Sequence, residues 1–184
     1  MKPDSGCFYI AYASPVGPLV LTSDGKAITG LHLPERDGSA AVMPSDASRS
    51  RDPAPFRKAV AQLDAYFAGE RTTFELPLHL SGTSFQRLAW NALLTIPYGT
   101  TISYGEQARR IGRPEASRAV GAANGRNPVA IIVPCHRVIG SGGKLTGYGG
   151  GLPLKQWLLD HEAAVLDRNV EPSPRRRREL QPTH

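Results

Sequence analysis

Val129-Ala130-Ile131-Ile132-Val133 runs directly into Pro134-Cys135-His136-Arg137-Val138, and a glycine-rich segment, Gly140 to Gly151, follows. Read by itself, the run predicts a buried strand that ends by presenting a thiol. Five apolar residues suffice for such a strand, and Pro134 has no N–H for a continuing ladder, so regular structure should stop just before Cys135. Cysteine attacks as its thiolate, and His136 and Arg137 place an imidazole and a fixed positive charge at the next positions, so the sulfur is expected to be held anionic. The bland reading stays open: a lone cysteine after an apolar strand is commonly an inert core residue. Adjacent side chains on extended backbone point to opposite faces, so proton exchange between Cys135 and His136 needs a bridging water or a sharp turn.

Outward from this stretch, composition sets limits. A chain of 184 residues with 40% hydrophobic residues builds one or two small domains with a real core. No stretch reaches a membrane-spanning length, and the first residues, with Lys2, Pro3, Asp4 and Gly6, resemble neither a secretory signal nor an anchor; a cytoplasmic protein is expected. Cys7 and Cys135 are too few for a disulfide framework and read as free thiols of a reducing compartment. Residues 1–81 carry eight Lys/Arg against nine Asp/Glu, residues 82–165 nine against four, and residues 166–184 five against three. The positive charge thus gathers around Cys135, as on a polyanion-binding surface, although solvated arginine gives the same count.

The pattern predicts an α+β chain in two parts and a tail. In residues 1–81, Cys7 to Ala13, Leu19 to Ser23 and Ala27 to Leu33 read as strands of a small antiparallel sheet. Ser14-Pro15-Val16-Gly17-Pro18 and Asp24-Gly25 supply the turns. Residues 34–55 lack periodicity and read as a loop. Phe56, Val60, Leu63 and Phe67 recur at helical spacing up to a stop at Gly69, giving a helix that covers the sheet. Phe74 to Leu80 alternates as a strand, confined to an edge by Pro77, and Ser81-Gly82-Thr83 is the expected hinge.

Residues 82–165 read as mostly helical. Ser84 is the expected N-cap of a helix with Phe85, Leu88, Ala89, Ala92 and Leu93 on its apolar stripe, and Trp90 is assigned a structural role. Ser103 and Glu106 form a capping-box pattern opening a short helix that ends at Gly112. Pro114 opens the next, which ends near Asn124-Gly125. Two short helices about a glycine turn match a helix-turn-helix. Ala116, Ser117, Ala119, Gly121, Ala122 and Ala123 give the second helix little bulk, which suits close approach to a groove or packing against the core. Gly140 to Gly151 reads as an active-site loop, and Pro153 opens a last helix with Leu154, Trp157 and Leu158 inward and Glu162 near its end. Residues 166–184, with Arg175 to Arg178, read as a disordered basic tail.

Pro134 to Val138, with Asn127-Pro128 before it and Gly147-Tyr148-Gly149-Gly150 after it, resembles the acceptor-site signature of the O6-alkylguanine-DNA alkyltransferases. The likeness runs from about Ser84 to Glu162 and more weakly over the N-terminal part. It implies direct-reversal DNA repair: an alkyl group passes from O6-alkylguanine, and from O4-alkylthymine, to Cys135, once per chain and without a cofactor. It further implies that a water joins Cys135 to His136, that Glu162 holds His136, that Asn127 ties the acceptor turn to the helix-turn-helix, and that Tyr104 contacts the base. Arg118 would fill the gap left by the extruded nucleotide, with Ala116, Ser117 and Ala119 on the same DNA-facing helix. Val138, Tyr148, Gly149, Gly150 and Arg137 would bind the substrate. Without the resemblance, Tyr104 reads as a core aromatic and Glu162 as a helix-end carboxylate.

The implied partner is double-stranded DNA carrying alkylated bases, bound by a chain that is monomeric in solution and able to cluster on DNA. No membrane partner is expected. Some relatives carry a structural zinc, but Cys7, His32 and His79 do not reproduce its ligand spacing, so no metal is expected. Three alternatives stand beside this reading: a non-catalytic sensor of alkylated bases, a Cys-His hydrolase, and a transcription regulator. The sensor class carries tryptophan where this chain has Cys135.

Overall fold

The structure is a computed structural model that describes residues 7–35, 39, 41 and 49–169. Four strands, β1 (Cys7–Ser14), β2 (Gly17–Ser23), β3 (Ile28–His32) and β4 (Arg49–Arg51), form one sheet in the order β3-β2-β1-β4. The first three are antiparallel, as the turn chemistry predicts, and β4 lies parallel to β1. The turns close on their own side chains. Ser14 Oγ donates to the Gly17 carbonyl, and Asp24 Oδ1 accepts from the amides of Lys26 and Ala27. The stretch read as a loop over 34–55 therefore contains a short strand, β4, and the start of a 3-10 turn at Ala54–Phe56; its residues 36–38, 40 and 42–48 lie outside the described residues.

Helix α1 (Arg57–Phe67) covers the sheet with Ala59, Leu63 and Tyr66, all buried. Leu19, Leu21, Ile28 and Leu31 from the strands share that core. The Phe74 to Leu80 stretch is not a strand but contributes one bridge, at Leu78, to the free edge of β3. There the Ile28 amide donates to the Pro77 carbonyl and the His79 amide to the Ile28 carbonyl. Pro77 fits because it only accepts.

The second half is α2 (Ser84–Leu93), β5 (Ile102–Ser103), α3 (Tyr104–Arg110), α4 (Ser117–Asn124), β6 (Val138–Ile139) and α5 (Leu152–Asn169), with β5 and β6 paired in parallel. Together with the antiparallel sheet this is the expected α+β class. Thr83, not Ser84, caps α2, in a reciprocal box with Gln86; Thr83 is the residue with extended backbone, as an N-cap requires. Trp90 sits on the buried face of α2 beside Ala89 and Leu93, and its indole N–H donates to the Ala123 carbonyl, while Leu88 faces outward. Ser103 caps α3, but the Glu106 carboxylate turns to Arg109 and Arg110, leaving half of the box. Helix α4 starts at Ser117, three residues beyond Pro114.

Two further expectations change. Helix α5 buries Lys155, Leu158, Glu162 and Val165, while Trp157 lies at the surface stacked on His161. It also continues to Asn169, past the boundary at 166 assigned to the tail; residues 170–184 lie outside the described residues. The larger correction concerns residues 129–133, which form a compact turn rather than a strand. The sheet is joined to this turn directly: the Leu31 amide donates to the Pro128 carbonyl at 2.9 Å, and the Ala130 amide to the Leu31 carbonyl at 3.2 Å. One apolar core runs across both halves, from Leu19 and Leu63 to Trp90, Val133 and Leu158.

Candidate active site at the acceptor turn

Tight backbone closures deliver Cys135. The Val133 amide reaches the Val129 carbonyl at 2.9 Å, Ile132 the Ala130 carbonyl at 2.8 Å, and Cys135 the Val133 carbonyl at 2.8 Å. Pro134, at φ −82° and ψ 65°, is the centre of the last, an inverse γ-turn. Ile131 takes φ 68°, which costs a β-branched residue about 1–3 kcal/mol, so the surroundings must enforce it. Two clamps do. The β3 edge holds Pro128 and Ala130. Asn127 accepts from the Val129 amide and donates from Nδ2 to the Val133 carbonyl at 2.7 Å and to Cys135 Sγ at 3.2 Å. Residues 135–137 then form a single 3-10 turn, in which His136 Nδ1 makes no direct hydrogen bond to Cys135 Sγ.

Behind the turn lies a carboxylate with no exposure. Glu162 Oε1 accepts from Tyr66 Oη (3.0 Å), His136 Nε2 (2.9 Å) and Arg137 Nη2 (2.9 Å), and Oε2 from Arg137 Nε (2.9 Å) and the Gly99 amide (2.8 Å). Gly99 must be glycine: its φ is 69°, and a Cβ there would run into Leu166. Burial pushes Glu162 up, yet the hydrogen bonds and charges of His136 and Arg137 override this and lower its pKa to about 2. His136 moves the other way, because burial outweighs the attraction of Glu162 and holds the imidazole neutral. An ionised carboxylate only accepts, so Nε2 carries the hydrogen and Nδ1 keeps its lone pair. Nδ1 is buried and has no hydrogen-bond partner among the described residues.

Arg137 does not join the substrate side as the resemblance implied. Its guanidinium is forked onto Glu162, donates to the Ile96 carbonyl at 2.7 Å and lies over the Tyr98 ring, so its charge is matched internally. The cation that acts on the sulfur is Lys155, which the sequence reading missed. It is fully buried, with Nζ donating to the carbonyls of Val138 (2.6 Å) and Thr146 (2.8 Å) and 5.9 Å from the Tyr104 ring centroid. Its register with Leu158 and Glu162 on α5 was the available signal. Nor is the sulfur anionic at rest. Burial raises the Cys135 pKa, and the Asn127 N–H, the Lys155 charge and the amides of Cys135 and His136 oppose that without cancelling it.

Of the other expected residues, Tyr104 and Tyr148 lie near enough to Cys135 to interact with it electrostatically. Val138 and Tyr148 are buried, and burial holds the Tyr148 phenol well above its ordinary pKa, with Cys135 the next contributor. Tyr104 opens α3, half-buried against Gly121 of α4, and its hydroxyl faces the Thr146 carbonyl at 3.4 Å. Gly149 is exposed; Gly150 packs against Leu33 and Leu154. Gly149 also lines a cavity of about 210 Å³ with Asn127, Ala130 and Leu31. On α4, Arg118, Ala119 and Ala122 are exposed, Ala116 and Ser117 half-exposed, and Val120 and Ala123 buried, so the small residues serve both faces. Arg109, Arg110, Arg113 and Arg126 are exposed on or beside the same helix pair. Among the described residues no cluster of His, Cys, Asp or Glu is placed to hold a metal ion, and no helix is long and apolar enough to cross a membrane.

Two outcomes follow from this electrostatic arrangement. A carboxylate whose folded pKa is depressed stabilises the fold above its unfolded value, near 4.3, and loses that contribution as pH falls toward about 2. Glu162→Gln should therefore cost about 3–5 kcal/mol in urea unfolding at pH 7, because Arg137 is left buried and unpaired, and should flatten the loss of stability between pH 4 and 2. An unchanged acid profile contradicts the role given to this carboxylate. Lys155→Met removes the cation opposing burial at the thiol, so the midpoint of Cys135 alkylation by iodoacetamide against pH should rise, and the rate at pH 7 should fall about threefold or more. An unshifted midpoint rules out Lys155 as a thiolate-stabilising charge.

Comparison with known proteins converges on one family. A family model described as 6-O-methylguanine DNA methyltransferase, ribonuclease-like domain, matches residues 7–80, and one described as 6-O-methylguanine DNA methyltransferase, DNA binding domain, matches residues 84–164. A methylated-DNA–protein-cysteine methyltransferase of Mycobacterium bovis is 56% identical over 154 residues, 84% of this chain and 91% of that protein. One from Methanosarcina acetivorans is 48% identical over 157 residues, 85% and 99% of the two chains. The crystal structure of Mycobacterium tuberculosis OGT in complex with DNA matches with a TM-score of 0.79 at 54% identity, covering 86% of this chain and 94% of that one. This chain, with its cysteine held by Asn127 and followed by a histidine paired with Glu162, belongs to the methylated-DNA–protein-cysteine methyltransferase family.

Proposed function

We propose that the chain repairs DNA by a single displacement on the alkyl carbon of O6-alkylguanine. The Cys135 proton passes to His136 Nδ1, through a water. The sulfur forms a bond to the alkyl carbon, the carbon–O6 bond breaks, and its electron pair leaves with guanine, to which Tyr104 gives a proton at N3 while recovering, through solvent, the one held by His136. The observation that carries this reading is the paired arrangement at the turn: Sγ held by Asn127, and a neutral imidazole whose other nitrogen is fixed by an ionised carboxylate. A thiol that is protonated at rest fits, since it is spared from side reactions until a base accepts its proton. The thioether product is chemically stable, which supports one round per chain. O4-alkylthymine offers the same alkyl–oxygen bond and falls within the same reading.

Cys135 is only 8% exposed, so its reaction partner has to be taken out of the duplex. Arg118 is suited to occupy the space left, because it is exposed on the small-residue face of α4. Tyr148 would line the alkyl pocket, the Val138 backbone and the Gly149 amide would meet the guanine edge, and Lys155 would hold Val138 and Thr146 in place around it.

Titration with duplex DNA containing O6-methylguanine should repair lesions up to one per chain and then stop, and Cys135→Ser should repair none. Continued repair beyond that plateau overturns the stoichiometric reading. Because extrusion costs a few kcal/mol, Arg118→Ala should slow methyl transfer from duplex DNA by about tenfold or more relative to transfer from free O6-benzylguanine. Equal slowing of both excludes the extrusion role.

A further inference from the structure

Ile131 is the only non-glycine residue with a positive φ among those described, whereas nine glycines adopt that conformation. The fold thus uses glycine wherever a left-handed turn is needed, except at the turn carrying the acceptor. Ile131 is also fully buried in the shared core. Its neighbours leave no slack. Pro128 and Ala130 are hydrogen bonded to Leu31 of β3, and Val129 and Val133 to the Asn127 side chain that also reaches Sγ. Strain of this kind persists only where the surroundings over-determine it, and it gathers at functional sites.

We propose that Ile131 is a positioning residue for alkyl transfer. Its branched side chain, anchored in the core, leaves the 129–133 turn one accessible shape, and that shape keeps the Asn127 amide on Sγ and the thiol aimed at the base. Glycine at this position relieves the strain but admits many backbone conformations, so the turn would be more comfortable and the sulfur less well placed. A purely structural role makes a different forecast, in which activity follows stability. The proposal rests on methyl transfer to Cys135 as the reaction.

The test compares Ile131→Gly with Ile131→Ala, which leave similar cavities. The proposal expects the glycine variant to melt above the alanine variant, yet to transfer methyl from O6-methylguanine duplex about fivefold more slowly at saturating protein, with DNA affinity equal within about twofold. Transfer rates that follow the melting temperatures overturn it. Should either truncation fail to fold, Ile131→Val, which keeps the branch at Cβ, should hold the rate within about twofold and Ile131→Leu should lose about threefold or more. A leucine variant as fast as the valine variant overturns the proposal equally. If the unaltered chain takes up no methyl, the reaction itself is wrong; if it does and the order of variants is reversed, only the role of Ile131 is.

Discussion

A buried carboxylate is tolerable only when its lone pairs are met, and Glu162 meets them with four donor residues from three separate parts of the chain. Tyr66 comes from the helix over the sheet, Gly99 from the turn after α2, and His136 and Arg137 from the acceptor turn. Displacing the acceptor turn would leave a charge unpaired in the core, and displacing Tyr66 or Gly99 would leave a buried lone pair unmet. The cluster therefore acts as the mechanical reference for the site. It fixes the ring of His136, sets the hydrogen on Nε2 and uses up the charge of Arg137.

On the other side of the turn the control is finer. Burial works against an anionic sulfur, and the opposing groups are an amide N–H, two backbone amides and one buried ammonium. Their balance leaves a protonated thiol, which a base has to deprotonate before the sulfur can attack. Lys155 is well suited to its place because its own charge is steadied by the carbonyls of Val138, just before the glycine-rich loop, and Thr146, within it. Loop, acceptor and cation are thus held by one set of contacts, and the sheet reaches the same turn through Leu31.

Much of this was legible in the sequence, and the exceptions have physical causes. Turn chemistry at Ser14 and Asp24 and helical spacing up to Gly69 are local signals, and they read correctly. The motif pointed to the residues the structure gathers, Asn127, Cys135, His136 and Glu162. Residues 129–133 misled because an apolar run has no period; what folds it into a turn is pairing with Leu31, ninety-eight residues away from Val129. Arg137 misled because adjacency in sequence says nothing about where a long side chain is neutralised. Lys155 escaped because a lysine among polar helix residues reads as solvated, and only its register with Leu158 and Glu162 says otherwise.

Peptide mapping by mass spectrometry of the chain after reaction with O6-methylguanine duplex tests directly whether Cys135 is the alkyl acceptor. One methyl group is expected on the peptide containing Cys135, as a thioether, with the peptide containing Cys7 unchanged. A methyl group on Cys7, or repaired DNA with both cysteines free, contradicts this.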